Sequence, residues 1–236
     1  MKTIDFDIID STNTYIKNNY QSLDNMTFVS AKNQTNGRGR NQRIWKSEDG
    51  RNLLFSLLLS KQKYIEQYKA ISILSAYTVL EVLEDYGINA SIKWPNDVYV
   101  NDSKICGILL EAVTKETVEC LIVGIGINVN QKVFEGEYLH RPTSLSIELN
   151  KDIGLDEFKL KVYTMLENNL NELINGKDFY EAVKKADYLR DKEVYAVIDN
   201  LKRRIRVIGI NEDYSLKIEY DNITRDIESG EITFHL

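Results

Sequence analysis

Gln34-Thr35-Asn36-Gly37-Arg38-Gly39-Arg40-Asn41-Gln42-Arg43-Ile44-Trp45 carries no hydrophobic period, so it is neither a helix nor a strand with a buried face. Gly37 and Gly39 open backbone dihedrals closed to other residues and let the chain approach a ligand closely. Arginines alternate with them, each always charged and offering a planar fork of donors that matches phosphate or carboxylate. Trp45 closes the run with a flat surface on which a base can stack. The composition is that of a loop closing over an anionic, partly aromatic ligand. A solvated surface loop is the bland alternative, since Gly-Arg runs are common in loops.

Charge favours the first reading. Lys32, Arg38, Arg40, Arg43 and Lys46 fall in one stretch without an acid, in a chain whose net charge is −6. A positive loop on an acidic body suits one small anion at one place. A nucleic-acid footprint needs a basic face or stripe. The 236 residues allow one large domain or two smaller ones, and an apolar fraction of 43% is enough for a core. Acidic Asp5 comes too early for a signal peptide, and the apolar run Leu53–Leu59 is too short to cross a bilayer. Cys106 and Cys120 lack metal-ligand spacing, and His140 and His235 add none. Two buried thiols of a cytoplasmic protein is the expectation.

Outward from the loop, residues 3–9 alternate as a half-buried strand, and Ser11-Thr12-Asn13 follows at a strand-to-helix turn. Those three side chains read either as a helix N-cap or as a polar ligand clamp. Strands are expected at 26–30 and 52–60, the latter apolar on both faces and central in a sheet. Residues 64–86 read as a helix with one apolar side, ended by Gly87. Lys93-Trp94-Pro95-Asn96-Asp97 is a turn. A hairpin follows around Asn101-Asp102-Ser103, with Lys104 on its return and Gly107 marking a close backbone approach. A strand at 118–123 runs into Gly124-Ile125-Gly126-Ile127-Asn128. This is no dinucleotide fingerprint, because Val129 replaces the third glycine and no helix follows; no phosphate loop occurs either. Residues 131–143 read as a loop and 144–149 are ambiguous. Helices are expected at 156–174, with Asp156 as cap, and at 179–189. From about residue 192, short strands at 194–198, 205–208, 216–220 and 232–234 suggest a small β-barrel, with a domain boundary near residue 190.

Ser-Thr-Asn, Gln-Thr-x-Gly-Arg-Gly-Arg-x4-Trp, Lys-Trp-Pro-Asn-Asp with a lysine seven residues on, and Gly-x-Gly-Ile-Asn lie in one order along essentially the whole chain. This resembles the biotin protein ligases. The resemblance implies an α+β fold: a mixed β-sheet catalytic domain with packed helices over residues 1–189, and a small C-terminal SH3-like β-barrel over 190–236, ending near Ser229-Gly230-Glu231. It implies ATP and biotin as substrates, Mg²⁺, and biotinyl-5′-AMP as the intermediate. A biotin carboxyl carrier domain is the implied partner, and a homodimer is compatible. Ser11, Thr12, Asn13, Gln34 and Gly107 match biotin-binding positions, together with Arg38, Gly39, Arg40 and Lys104. Arg38, Arg40, Trp45, Asn96, Lys104 and Asn128 match nucleotide-binding positions. Lys104, Arg38, Arg40, Asp97 and Lys93 are the candidate catalytic groups; no metal ligand is assigned.

The departures are small. Asn41 and Gln42 stand where the family often has a basic residue or glycine, and Tyr214 stands at a turn glycine. The Ser-Thr-Asn motif begins at residue 11, so no helix-turn-helix domain and no direct DNA binding are expected. Two alternatives stay open: a lipoate or octanoate ligase of the same fold, and a non-catalytic ligand-binding regulator.

Overall fold

The computed structural model describes residues 1–40, 43–136, 138, 140–229 and 232–235, with only the backbone given for the last four. Asn41, Gln42, Gly230 and Glu231, all invoked above, lie outside the described residues.

In chain order the elements are β1 (Lys2–Ile9), α1 (Thr12–Asn19), β2 (Thr27–Gln34), β3 (Leu53–Leu59), α2 (Gln62–Ile65), α3 (Tyr68–Asp85), β4 (Ser91–Lys93) and β5 (Asp97–Val100). Then come β6 (Ser103–Thr114), β7 (Val118–Ile127), α4 (Leu145–Leu149), α5 (Leu155–Ile174) and α6 (Tyr180–Lys185). The last strands are β8 (Glu193–Ile198), β9 (Leu201–Ile210), β10 (Leu216–Tyr220), β11 (Ile223–Ile227) and β12 (Ile232–His235).

The first seven strands form one mixed sheet in the order β1-β2-β3-β7-β6-β5-β4. Only β1 and β2 are parallel, and α1 makes the crossover that a parallel pair requires. The rest of the sheet is antiparallel, down to the β4–β5 hairpin. β3 is buried along its whole length, as expected for a strand covered on both faces. Side chains two apart share a face. Leu53, Phe55, Leu57 and Leu59 therefore join the large core under α3 and α5, while Leu58 joins a smaller cluster under α1 with Ile16, Val29, Cys120 and Ile122. Each such buried side chain contributes about 1.5–3 kcal/mol relative to exposure. Phe28, Phe55 and Tyr163 stack together where α5 crosses the sheet. The two thiols are buried and unpaired, Cys106 in the large core and Cys120 in the small one. No helix among the described residues is long and apolar enough to cross a membrane.

The structure corrects several local expectations. The helix over 64–86 breaks into α2 and α3, and α3 is buried around most of its circumference, because sheet, α5 and α6 all pack on it. Gly154, not Asp156, occupies the N-cap of α5; Asp156 sits in the first turn, where its charge suits the helix dipole. Residues 144–149 resolve as α4, capped by Ser144 Oγ. β11 is an additional strand.

The larger correction concerns the C-terminal barrel. The last five strands form an open sheet in the order β11-β10-β9-β8-β12, whose two edge strands do not pair among the described residues. No SH3-like barrel closes among the described residues. Closure is one way of covering an apolar face; here α3 and the first sheet cover it. Val194, Ala196, Ile198, Ile205, Val207, Leu216, Ile218 and Ile227 are buried in the same continuous core as α3 and the large sheet. Tyr214, at φ 65°, turns its carbonyl to accept from Trp94 Nε1 at 2.9 Å. The left-handed backbone that favours glycine is thus held by a tyrosine whose carbonyl anchors the Lys-Trp-Pro-Asn-Asp turn.

Candidate active site

Strand register builds the floor. Leu54, Gly126, Gly107 and Asp97 lie in one row across β3, β7, β6 and β5. Ser56, Gly124 and Leu109 form the next row on the same face. The glycines are there for space. A Cβ at Gly124 would sit 2.3 Å from Asn13 Oδ1, and one at Gly126 would lie 2.6 Å from the Trp45 ring. A Cβ at Gly107 would meet the same ring at 2.9 Å. Asn13 and Trp45 therefore lie directly on the backbone of the sheet.

Above this floor is a cavity of about 380 Å³. Its lining contains every residue singled out from the sequence: Ser11, Thr12, Asn13, Gln34, Arg38, Gly39, Arg40, Trp45, Lys93, Asn96, Asp97, Lys104, Gly107 and Asn128. They arrive from four places. The β1–α1 turn supplies the Ser-Thr-Asn triplet; the end of β2 and its loop supply the Gly-Arg segment. The β4–β5 turn and β6 supply the lysines and Asp97, and the end of β7 supplies Asn128.

At one end of the cavity Ser11 both caps α1, its Oγ accepting from Thr14 N–H, and lines the cavity, so the two readings of that triplet coexist. Gln34 Oε1 accepts from the Thr12 N–H at 2.8 Å, and Thr12 Oγ1 lies 2.6 Å from Ser56 Oγ. Within the Gly-Arg segment, Gly39 N–H donates to the Arg43 carbonyl at 2.7 Å, and Trp45 N–H to that of Gly37 at 2.9 Å. Arg38 reaches Thr14 Oγ1 and Glu111, while Arg40 donates to Asn96 Oδ1 at 3.1 Å. Asn96 is fixed in turn by exchanging hydrogen bonds with the backbone of Ile108.

At the other end, Lys104 Nζ pairs with Asp97 Oδ1 at 2.7 Å and stands 5.6 Å from the centre of the Trp45 ring. Lys93, only 4% exposed, places Nζ 2.9 Å from His140 Nε2 and 3.4 Å from the Tyr99 hydroxyl. Burial pushes Lys93 down to about 8; repulsion from Lys104 and Arg43 adds to this and Asp97 opposes it. Burial, then Lys93, pushes His140 down to about 4, so its ring is neutral at pH 7 and Nε2 accepts from the lysine. Burial also lowers Arg40. Asn128 donates Nδ2 to the Thr143 carbonyl at 3.0 Å, which props residues 141–143 against Lys104. Sequence reasoning named Gly124, Gly126 and Arg43 within its motifs without assigning them to the site, and gave no site role to Ser56, Glu111 or His140. Two glycines at i and i+2 in a strand were a legible signal; the others carry none by themselves.

The donor set does not fit a resident metal. No cluster of three His, Cys, Asp or Glu side chains exists among the described residues, and Asp97 is the one carboxylate among the described lining residues. The cavity instead collects cations: Arg38, Arg40, Arg43, Lys46, Lys93 and Lys104.

Comparison with known proteins bears on this site. A sequence profile of the biotin/lipoate A/B protein ligase family matches residues 6–128. A bifunctional ligase/repressor of Bacillus subtilis is 41% identical over 124 residues, covering 51% of this chain and 38% of that protein. The corresponding protein of Escherichia coli is 29% identical across 96% of this chain and 72% of its own length. A biotin protein ligase from Aquifex aeolicus, solved in complex with biotin and ATP, superposes with a TM-score of 0.88 at 32% identity, covering 99% of this chain and 98% of that one.

Proposed function

Because this chain belongs to the biotin/lipoate A/B protein ligase family, we propose that it activates biotin with ATP and transfers it to a lysine of a biotin carboxyl carrier domain. One observation carries the reading: six cations and one carboxylate face a single cavity whose far end is lined by uncharged hydrogen-bonding side chains. Such a cavity suits a ligand with a neutral polar head and a reacting anion. Arg38 Nε and Trp45 Nε1 are buried without an acceptor among the described residues, donors that a ligand's oxygens would satisfy.

In the first step the biotin carboxylate attacks the α-phosphorus of ATP; a carboxylate–phosphate anhydride forms and pyrophosphate leaves. The nucleophile is already deprotonated, so no general base is needed. Two anions must be aligned and their charge offset. Arg38, Arg40 and Lys104 are the groups assigned to this, with Lys93 behind them. Each charge-assisted hydrogen bond is worth about 1.5–3 kcal/mol. Mg²⁺ belongs to the nucleotide substrate and comes with its phosphates. In the second step the carrier's lysine amine attacks the anhydride carbonyl, AMP leaves, and the amine's proton passes to Asp97. Ser11, Thr12, Asn13 and Gln34 take the neutral head of biotin; Trp45, Asn96 and Asn128 take the adenosine side. These substrates meet in the cytoplasm, the compartment assigned here.

The test is ATP–pyrophosphate exchange with biotin, lipoate or octanoate in parallel. Exchange with biotin alone is expected. Exchange only with lipoate or octanoate would move the substrate within the family, and no exchange by folded protein would overturn the ligase reading.

A further inference from the structure

Glu111 lies outside the cavity lining, on β6, yet two cavity residues converge on it. Its Oε2 accepts from Asn13 Nδ2 at 2.7 Å and lies 3.3 Å from an Arg38 Nη atom. Behind Asn13 the chain of contacts continues. Ser56 Oγ donates to Asn13 Oδ1, Thr12 Oγ1 meets Ser56 Oγ, and the Thr12 N–H donates to Gln34 Oε1. Asn13 and Ser56 are buried, at 4% and 0% exposed.

An ionised carboxylate only accepts hydrogen bonds, and that one fact orients the line from Asn13 to Thr12; Gln34 is oriented separately, by the Thr12 backbone N–H. Asn13 must turn its NH₂ to Glu111 and its oxygen to Ser56. Ser56 must then spend its single proton on Asn13, so its oxygen takes the proton of Thr12. Gln34 offers Oε1 to the Thr12 backbone, leaving its NH₂ as the free donor. Asn13 retains one N–H and one acceptor lone pair, the complement of a cyclic urea, which presents N–H and C=O side by side.

We propose that Glu111 is a positioning residue that sets the donor–acceptor direction of the Asn13–Ser56–Thr12 line, and through Asn13 the selectivity of the cavity for a ureido ring, while tethering Arg38 of the overlying loop. This deepens the biotin reading and rests on it.

Glu111→Gln tests it. The replacement is isosteric, but its amide can present either end, so both directions of the line become accessible. In biotin-dependent pyrophosphate exchange the KM for biotin should rise tenfold or more, with the KM for ATP changed less than twofold and the melting temperature preserved. Glu111→Asp, which keeps the acceptor-only group, should recover part of the loss. An unchanged biotin KM in Glu111→Gln would overturn the proposal. Equal rises in both KM values with a lowered melting temperature would show a merely structural role and also overturn it. Wild-type protein is the control: no exchange with biotin would sink the ligase reading itself, whereas a normal wild type beside an unaffected variant sinks only the role of Glu111.

Discussion

Two glycines of the floor separate the two halves of the site. Neither Gly124 nor Gly126 has a backbone angle that demands glycine; the obstacle at each is what lies above it. Gly124→Ala drives a methyl into Asn13, and Gly126→Ala drives one into Trp45. Overpacking of this kind costs about 1–3 kcal/mol. Gly124→Ala should therefore weaken biotin binding by about tenfold or more, at ~1.4 kcal/mol per tenfold, with little change in the KM for ATP. Gly126→Ala should do the reverse. Calorimetric titration with biotin and steady-state exchange kinetics would separate them, and identical effects of both substitutions would refute the division. Lys93 gives a second residue-scale expectation. Its ammonium is lost above about 8 rather than near 10.5. Between those values the unfolded chain holds a proton there that the folded chain does not, so stability rises with pH across that window. Activity runs the other way, because the charge that offsets the reacting anions disappears. Adenylation should fall as pH passes about 8, and Lys93→Arg, charged throughout, should abolish that limb. His140 stays neutral above about 4 and should contribute no limb between 5 and 8. A limb persisting in Lys93→Arg would assign it to another group.

Among the elements, the Gly-Arg segment after β2 is the one that covers the cavity. Over the cavity its contacts include Arg38 to Glu111 and Thr14, Arg40 to Asn96, and Trp45 on the glycine floor. An acyl-adenylate hydrolyses when water reaches it, and a loop that orders over it excludes water. Arg40→Gly removes the Asn96 anchor while leaving Arg38 and Lys104. Adenylate should still form but escape, so biotinylation of an unrelated protein added to the reaction should rise; no rise would count against the loop as a lid. That loop was legible in the sequence because its chemistry is punctuated by glycine, arginine and tryptophan at fixed spacing. So were Lys104 and the Lys-Trp-Pro-Asn-Asp turn. Glu111 was not, since a glutamate in a strand reads as surface, and its partners Asn13 and Arg38 lie 98 and 73 residues away in sequence. Most strands were legible from alternation, but β11 was hidden: Ile223-Thr224-Arg225-Asp226-Ile227 is largely polar and exposed. Strand spacing also cannot tell an open sheet from a closed one, because closure depends on what covers the apolar face.

At the scale of the molecule, that cover makes the two sheets interdependent. The segment after α6 docks on β4, with Ile92 N–H donating to the Ala186 carbonyl at 2.7 Å and Tyr188 N–H to that of Ile92 at 2.9 Å. Ile92 immediately precedes Lys93. Trp94 hangs on Tyr214, Tyr180 Oη on the Ile210 carbonyl, and Lys69 of α3 pairs with Glu228 and Asp213. The large core runs without interruption from Ile92 and Trp94 to Val194, Ile205 and Ile218. Removing residues 190–236 would open this core to water. At about 1.5–3 kcal/mol per large side chain, exposing a handful costs as much as the ~5–15 kcal/mol by which a domain is stable. A chain ending at residue 189 should therefore show no cooperative thermal transition and no pyrophosphate exchange, and it should partition into the insoluble fraction. A soluble, cooperatively melting 1–189 fragment that still exchanges with biotin would mean that the β4–β5 turn holds its shape without Tyr214, and that the second sheet serves the carrier step alone.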